Sequence, residues 1–126
     1  MSIVVELPLP PKELKPNHRC HWRAKLKPKA EARYTAYVIA LVAISELPTA
    51  PRWKLAEVQA TWYLARQNDS DNLLASIKHH LDGIADAGIV DNDRGFIFLP
   101  PKQVLDPKRN GKRGLVLTIT ERKDEA

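Results

Sequence analysis

Residues 55–64 alternate between apolar and polar side chains. Ala56, Val58, Ala60, Trp62 and Leu64 share one face of an extended chain, and Glu57, Gln59 and Thr61 share the other, because successive side chains of a strand point to opposite sides. That period describes a half-buried strand. Shortly after it, Asp71 or Asn72 can cap a helix. The helix is expected to run to about Ala87 and to stop at Gly88. Leu74, Ile77, Leu81 and Ile84 cluster on the face of that helix expected to meet the core.

The rest of the chain supplies partners for this strand and helix. Residues 3–7 form a short apolar run closed by Pro8, Pro10 and Pro11, a strand followed by a turn. Residues 12–29 have no clean period and carry seven bases against Glu13 alone, the pattern of a long loop that is either functional or disordered. Pro28 suits a helix start, and Tyr34, Tyr37, Val38, Leu41, Ile44 and Leu47 make the expected core stripe of a helix over 30–47. Pro48 and Pro51 end it. Residues 96–99 read as a strand whose neighbours Pro100 and Pro101 fit an edge or a bulge. A basic turn at 108–114 leads into a last strand at 115–120, and residues 122–126 are expected to fray. The expectation is one domain over residues 1–126, an α/β fold of the α+β type, with a small mixed sheet of about four strands under two main helices.

At 126 residues, with 44% hydrophobic and 28% charged residues, the chain can bury a core, and wholesale disorder is excluded. A single cysteine, Cys20, rules out an internal disulfide framework and fits a reducing compartment. Residues 1–9 lack the apolar stretch of a leader, and the longest apolar run, 36–44, is too short for a membrane span. These features point to a soluble, cytoplasmic protein. The net charge is +5, and its layout says more than its sum. Residues 69–93 hold six acids (Asp69, Asp71, Asp82, Asp86, Asp91 and Asp93) and one base, Lys78, so the remainder carries +10. A basic body suggests a polyanionic partner, and an acidic knot inside it would repel that partner unless a cation lay between them.

Asp69 and Asp71 stand where strand gives way to helix and, two apart in extended chain, would project to one side. Hard divalent cations take carboxylate oxygens, water and substrate phosphate, and phosphodiester hydrolysis uses such a metal to activate water. A third carboxylate could fold back from Asp91 or Asp93. At about 100° per residue, Lys78 would lie roughly 20° from Asp71 on one continuous helix, where it could hold a phosphate.

Asp69-Ser70-Asp71-Asn72-Leu73, then Lys78 and Asp82, then Ala87-Gly88-Ile89-Val90-Asp91-Asn92-Asp93 resemble the signature block of the RusA family of Holliday junction resolvases. Glu6-Leu7-Pro8-Leu9-Pro10-Pro11 is similar to the family's N-terminus, and Leu117-Thr118-Ile119-Thr120-Glu121 to its last strand. The resemblance implies a homodimeric endodeoxyribonuclease of DNA recombination and repair. Such an enzyme is prokaryotic or phage-encoded and uses Mg²⁺, for which Mn²⁺ can substitute, to nick four-way junctions in pairs. It matches Asp69, Asp71 and Asp93 to the family's catalytic carboxylates, with Asp91 as a second candidate for the third. The family's lysine lies four residues after the second aspartate, which here is Ala75. Counted back from Asp82 or Gly88 it is Lys78, and three extra residues reconcile the two counts.

Arg19, Arg23, Lys25, Lys27 and Lys29 of the loop, with Lys108, Arg109, Lys112 and Arg113 of the turn, are the candidate DNA contacts. Trp22 among the loop bases could stack on an unpaired base, and Trp62 belongs to the core. His18, Cys20 and His21 fall short of a zinc motif. His79 and His80 face different ways on a helix, and His79 is expected at the surface. Ala75 keeps a second class of function in view, a DNA-binding homologue with weak or no nuclease activity.

Overall fold

The computed structural model describes residues 1–16 and 18–122, and of Asp93 the backbone alone. Strand β1, Ser2–Leu7, turns Ile3, Val5 and Leu7 inward. The basic segment that follows is not structureless. It holds a 3-10 turn at Lys12–Leu14, whose Leu14 is buried, and a second at Trp22–Lys25. The second turn runs directly into helix α1, Leu26–Ala43. Strand β2, Ala56–Leu64, buries every second residue, as its alternation requires. Helices α2, Ser70–Ala75, and α3, Lys78–Asp86, come next. After a 3-10 turn at Asp93–Gly95, the chain adds β3, Phe96–Phe98, β4, Lys102–Leu105, and β5, Gly114–Glu121.

The sheet runs β1-β5-β2, and β3 and β4 lie one after the other along the free side of β2. β5 is antiparallel to both its neighbours, while β3 and β4 are parallel to β2. The fold is therefore mixed α+β as expected, with five strands rather than about four. The added strand is β4. Pro100 and Pro101 lack an N–H, so they fall in the gap between β3 and β4, where the chain is held instead by Leu99 N–H to Val58 O and Gln59 Nε2 to Pro100 O.

Two helix expectations are corrected. The stripe expected to face the core on the first helix does so only in part: Ile44 is buried and Tyr37 and Leu47 pack against the core, but Tyr34 is 68% exposed and Val38 and Leu41 are each 37% exposed, whereas Ala32, Ala36 and Ala40 are buried. The reason is how closely α1 approaches α3. A Cβ on Gly83 would collide with the Arg33 carbonyl oxygen and lie 3.0 Å from Tyr37 N, so only small residues fit between the two helices. The helix expected from residue 71 to 87 is broken. Ser76 Oγ donates to Leu73 O at 2.7 Å, and Ser76 N and Ile77 N donate three residues back, to Leu73 O and Leu74 O. These bonds tighten the turn into 3-10 geometry and interrupt the α-helical ladder. Gly88 ends α3 as expected, with φ +93°. Residues 123–126 of the expected frayed tail lie outside the described residues, and Arg122 is held by a backbone bond to Leu55 O. Among the described residues, no helix is long and apolar enough to cross a membrane.

Candidate nucleic-acid interface and acidic pair

Strand register decides which loops meet. β1 leaves the sheet at Leu7 opposite Leu115, β5 enters at Gly114 opposite Tyr63, and Leu64 lies opposite Leu105. The segments that follow β1, β2 and β4 therefore gather at one end of the sheet. The basic turn is among them. Asp106 Oδ1 accepts from Lys108 N at 3.1 Å, and Arg113 donates to Lys108 O at 3.1 Å and to Lys112 O at 2.9 Å. Lys112 Nζ sits 4.1 Å from the Tyr63 ring centroid, a cation–π contact. Arg113 and Lys112 thus shape the turn, while the exposed Lys108 and Arg109 side chains make no hydrogen bond or ion pair among the described residues.

The other basic segment is ordered by its aromatic residues. His21 Nδ1 accepts from Arg23 N at 3.2 Å, His21 stacks on Trp22, and the Arg23 guanidinium lies 5.3 Å from the Trp22 ring. Trp22 is 61% exposed, Arg19 and Arg23 are exposed, and Lys25 and Lys29 are half-buried. Lys27 pairs with Glu31 at 3.8 Å.

Asp69 and Asp71 stand at the basic end, held differently from the extended pair expected. Asp69, not Asp71 or Asn72, is the helix cap, and its Oδ1 accepts from Asp71 N at 2.9 Å and Asn72 N at 3.4 Å. Asp71 lies in the first turn of α2, where a negative charge is favourable. Both residues are exposed. Their position is fixed by a residue the sequence did not single out. The Gln103 carboxamide accepts from Asn68 N at 2.9 Å and donates to Asn68 O at 2.8 Å, so it mimics a strand neighbour and ties the residue before Asp69 to β4.

Lys78 starts α3 beyond the break, so the angle drawn along one continuous helix no longer applies. It is exposed, and among the described residues no ion pair joins it to Asp69, Asp71 or Asp82. Asp82 faces His79 Nδ1 at 4.0 Å instead. His79 is half-buried rather than fully at the surface, and its pKa is lowered, first by burial and then by the charge of Lys29.

Asp91 and Asp93 do not join Asp69 and Asp71 within one chain. The segment after α3 lies beside residues 52–53, with Asp91 N donating to Trp53 O at 2.9 Å, and Phe96 is in register with Ala56. Asn68 is tied to Gln103, which opposes Trp62. From Trp62 to Ala56 is six strand steps, roughly 20 Å at about 3.3 Å per residue. Because β3 runs parallel to β2, the two acidic segments lie at opposite ends of the sheet. Asp91 instead shares a shallow depression with Asp82, Asp86 and Arg33. There Arg33 donates to both Asp86 oxygens, at 2.6 and 2.9 Å, and this bonding holds the Asp86 carboxyl below the usual range. The Asp93 side chain lies outside the described residues. Among the described ones, no three His, Cys, Asp or Glu side chains gather as a metal site.

Beside the acidic pair a cavity of about 270 Å³ opens between the segment after β1 and the helix face of β2. Trp62, Leu64 and Leu73 wall it, and Lys15, Asn72 and Ser76 add polar groups. Trp62 Nε1 is buried without a hydrogen-bond partner among the described residues, as is His80 Nδ1 elsewhere in α3.

No protein-family model matches the chain. Over 116 residues it is 36% identical to an uncharacterized protein of Xylella fastidiosa, an alignment that covers 90% of this chain and 73% of the relative. The chain belongs to one family with that protein.

Proposed function

We propose that this protein is a metal-dependent endodeoxyribonuclease that acts on branched DNA as a homodimer. The observation that carries the reading is the convergence of Asp69 and Asp71 with the basic turn at one end of the sheet. A bare acid pair would repel a DNA backbone drawn there by Lys108 and Arg109, and a divalent cation reverses that repulsion. One Asp69 oxygen serves the cap. The other, with the Asp71 carboxylate, has no partner among the described residues and could bind metal. Mg²⁺ commonly takes one or two carboxylates, several waters and a substrate phosphate, so the pair fits part of such a site. When bound, the ion would activate water and offset phosphate charge. The protein's own groups orient: the cap and the Gln103 clamp hold the acids, and the bases hold the backbone. Likeness to the RusA signature supports junction resolution as the reaction.

The third carboxylate lies out of reach in the same chain, so a complete centre would draw Asp93 or Asp91 from a second copy. A four-way junction has near two-fold symmetry, which a symmetric dimer matches. The separation of the acids, together with Ala75 at the family's lysine position, favours the second reading of a DNA-binding homologue that does not cut.

A labelled four-way junction incubated with Mg²⁺ or with EDTA, beside a linear duplex, separates the two readings. The nuclease reading expects symmetric nicks in the junction with Mg²⁺ only, lost in Asp71→Asn and in Asp93→Asn. Mixing the two inactive variants should restore part of the activity, because one site of a mixed dimer then keeps both carboxylates. Tight binding without cutting under any metal condition would leave the second reading. Full cutting by Asp71→Asn would remove the acid pair from either.

A further inference from the structure

We infer that Trp22 is a stacking residue for an unpaired nucleobase, so that the basic segment leading into α1 grips bound DNA by a base as well as by its backbone. The first observation is the exposure of the indole. Leu14 of the preceding 3-10 turn is buried, but no residue of the Trp22–Lys25 turn is, and Trp22 itself is 61% exposed. Trp22 therefore does not pin the segment to the core. A tryptophan carries a large apolar surface, and leaving that surface in water gains nothing for the fold.

The second observation is that the ring is held in place although it is exposed. His21 Nδ1 caps the turn by accepting from Arg23 N, the His21 ring lies 5.7 Å from the indole, centroid to centroid, and the Arg23 guanidinium lies 5.3 Å from it. A side chain fixed before binding loses less conformational freedom on contact. The charge around it is of one sign. Residues 14–30 hold six bases, Lys15, Arg19, Arg23, Lys25, Lys27 and Lys29, and no acid. An aromatic face beside positive charge is the combination that binds single strands, the charge on the backbone and the ring on a base.

The third observation is position. The basic segment passes the acid pair, because Lys15 and Pro16 line the same cavity as Asn68 and Asn72. The turn that carries Trp22 runs into α1, and Lys29 in the first turn of α1 lies within electrostatic reach of His79 at the start of α3. Trp22 thus belongs to the end of the molecule that holds Asp69 and Asp71. Leu26 is also exposed, and apolar side chains among bases also suit an anionic lipid surface. The acid pair at the same end favours DNA, whose phosphates a divalent cation can bridge to carboxylates. The inference rests on the nucleic-acid reading and adds to it the contact that tells an unpaired base from a bare backbone.

The test measures binding of the full-length protein, in EDTA and across a salt series, to a thymidine oligonucleotide of ~10 nucleotides and to an abasic strand of the same length and charge. Fluorescence anisotropy of the labelled strands reports affinity. The wild type should prefer the thymidine strand at least about fivefold, the lower end of what one stacked base contributes. Trp22→Ala should lose that preference while the slope of log affinity on log salt stays unchanged, because no phosphate contact is removed. Trp22→Phe, which keeps an aromatic face, should retain most of it.

A preference that vanishes in Trp22→Ala and survives in Trp22→Phe, at constant slope, upholds the base contact. Equal affinity for the two strands, or a preference that Trp22→Ala keeps, overturns it and leaves the DNA reading standing, provided a four-way junction is still bound. A salt slope that flattens in Trp22→Ala also overturns it, because Trp22 then serves only to order the neighbouring bases. A protein that binds neither strand nor junction overturns both readings. Cosedimentation with vesicles of phosphatidylcholine and phosphatidylserine is the last arm. Vesicle binding that needs Trp22, with no preference between the strands, overturns the base contact and assigns the indole to a lipid surface.

Discussion

His80 should make the fold sensitive to mild acid. Its side chain is 3% exposed and its Nδ1 has no partner among the described residues. Burial, and after it the charge of His79, lowers its pKa from 6.5 to about 4. The unfolded chain therefore takes up a proton near pH 6.5, while the folded chain refuses it until about pH 4. Between those values the unfolded state binds more protons, so stability falls as pH falls. The whole gap amounts to about 3 kcal/mol, and between pH 7 and pH 5 about 2 kcal/mol of it should disappear. Most carboxylates stay ionised at pH 5, so the effect should show before general acid unfolding begins. Urea denaturation at pH 7, 6 and 5 would measure it for the wild type and for His80→Leu, which cannot titrate. The comparison is of slopes, because leucine also alters packing. The wild type should lose about 2 kcal/mol more than the variant over that range. Parallel curves would refute the reasoning and place His80 where solvent or a partner stabilises its charge.

Gly83→Ala should destabilise the protein by about 1–3 kcal/mol despite alanine's better helix propensity, because the added methyl meets the backbone of α1 and neither helix can yield locally. Calorimetry decides this, and a neutral or stabilised variant would disprove the close helix crossing. Asp69→Ala should cost about 0.5–2 kcal/mol in EDTA through loss of the α2 cap, whereas Asp69→Asn should melt within a few tenths of a kcal/mol of wild type. Equal losses in the two variants would deny the cap its role. Junction affinity should fall with salt at a log–log slope near −0.9 per phosphate contact, so Lys108→Glu with Arg109→Glu should flatten the slope by about 2. Lys27→Glu should change it less, because Lys27 already pairs with Glu31, and the reverse order would move the interface to the first turn of α1.

Strand β2, its inward-facing Trp62 and the helix stop at Gly88 are legible in the sequence because neighbours within a few residues decide them. Alternation sets the face of a strand, and only glycine takes φ +93° without strain. The Asp-x-Asp pair at a helix start is legible for the same reason, although which aspartate caps is settled by the two backbone N–H groups that donate to Asp69 Oδ1. What the tertiary structure decided involves partners distant in sequence. α1 presents alanines inward because Gly83, on another helix, lets the two backbones meet. Gln103 matters because β4 lies beside the end of β2 and not along some other edge. The acids of 69–71 and 91–93 are one block in the sequence and two ends of a sheet in the fold. A helix that runs back along the sheet before a parallel strand separates its two flanks by the length of the strand it covers, and no local pattern among those residues carries that length.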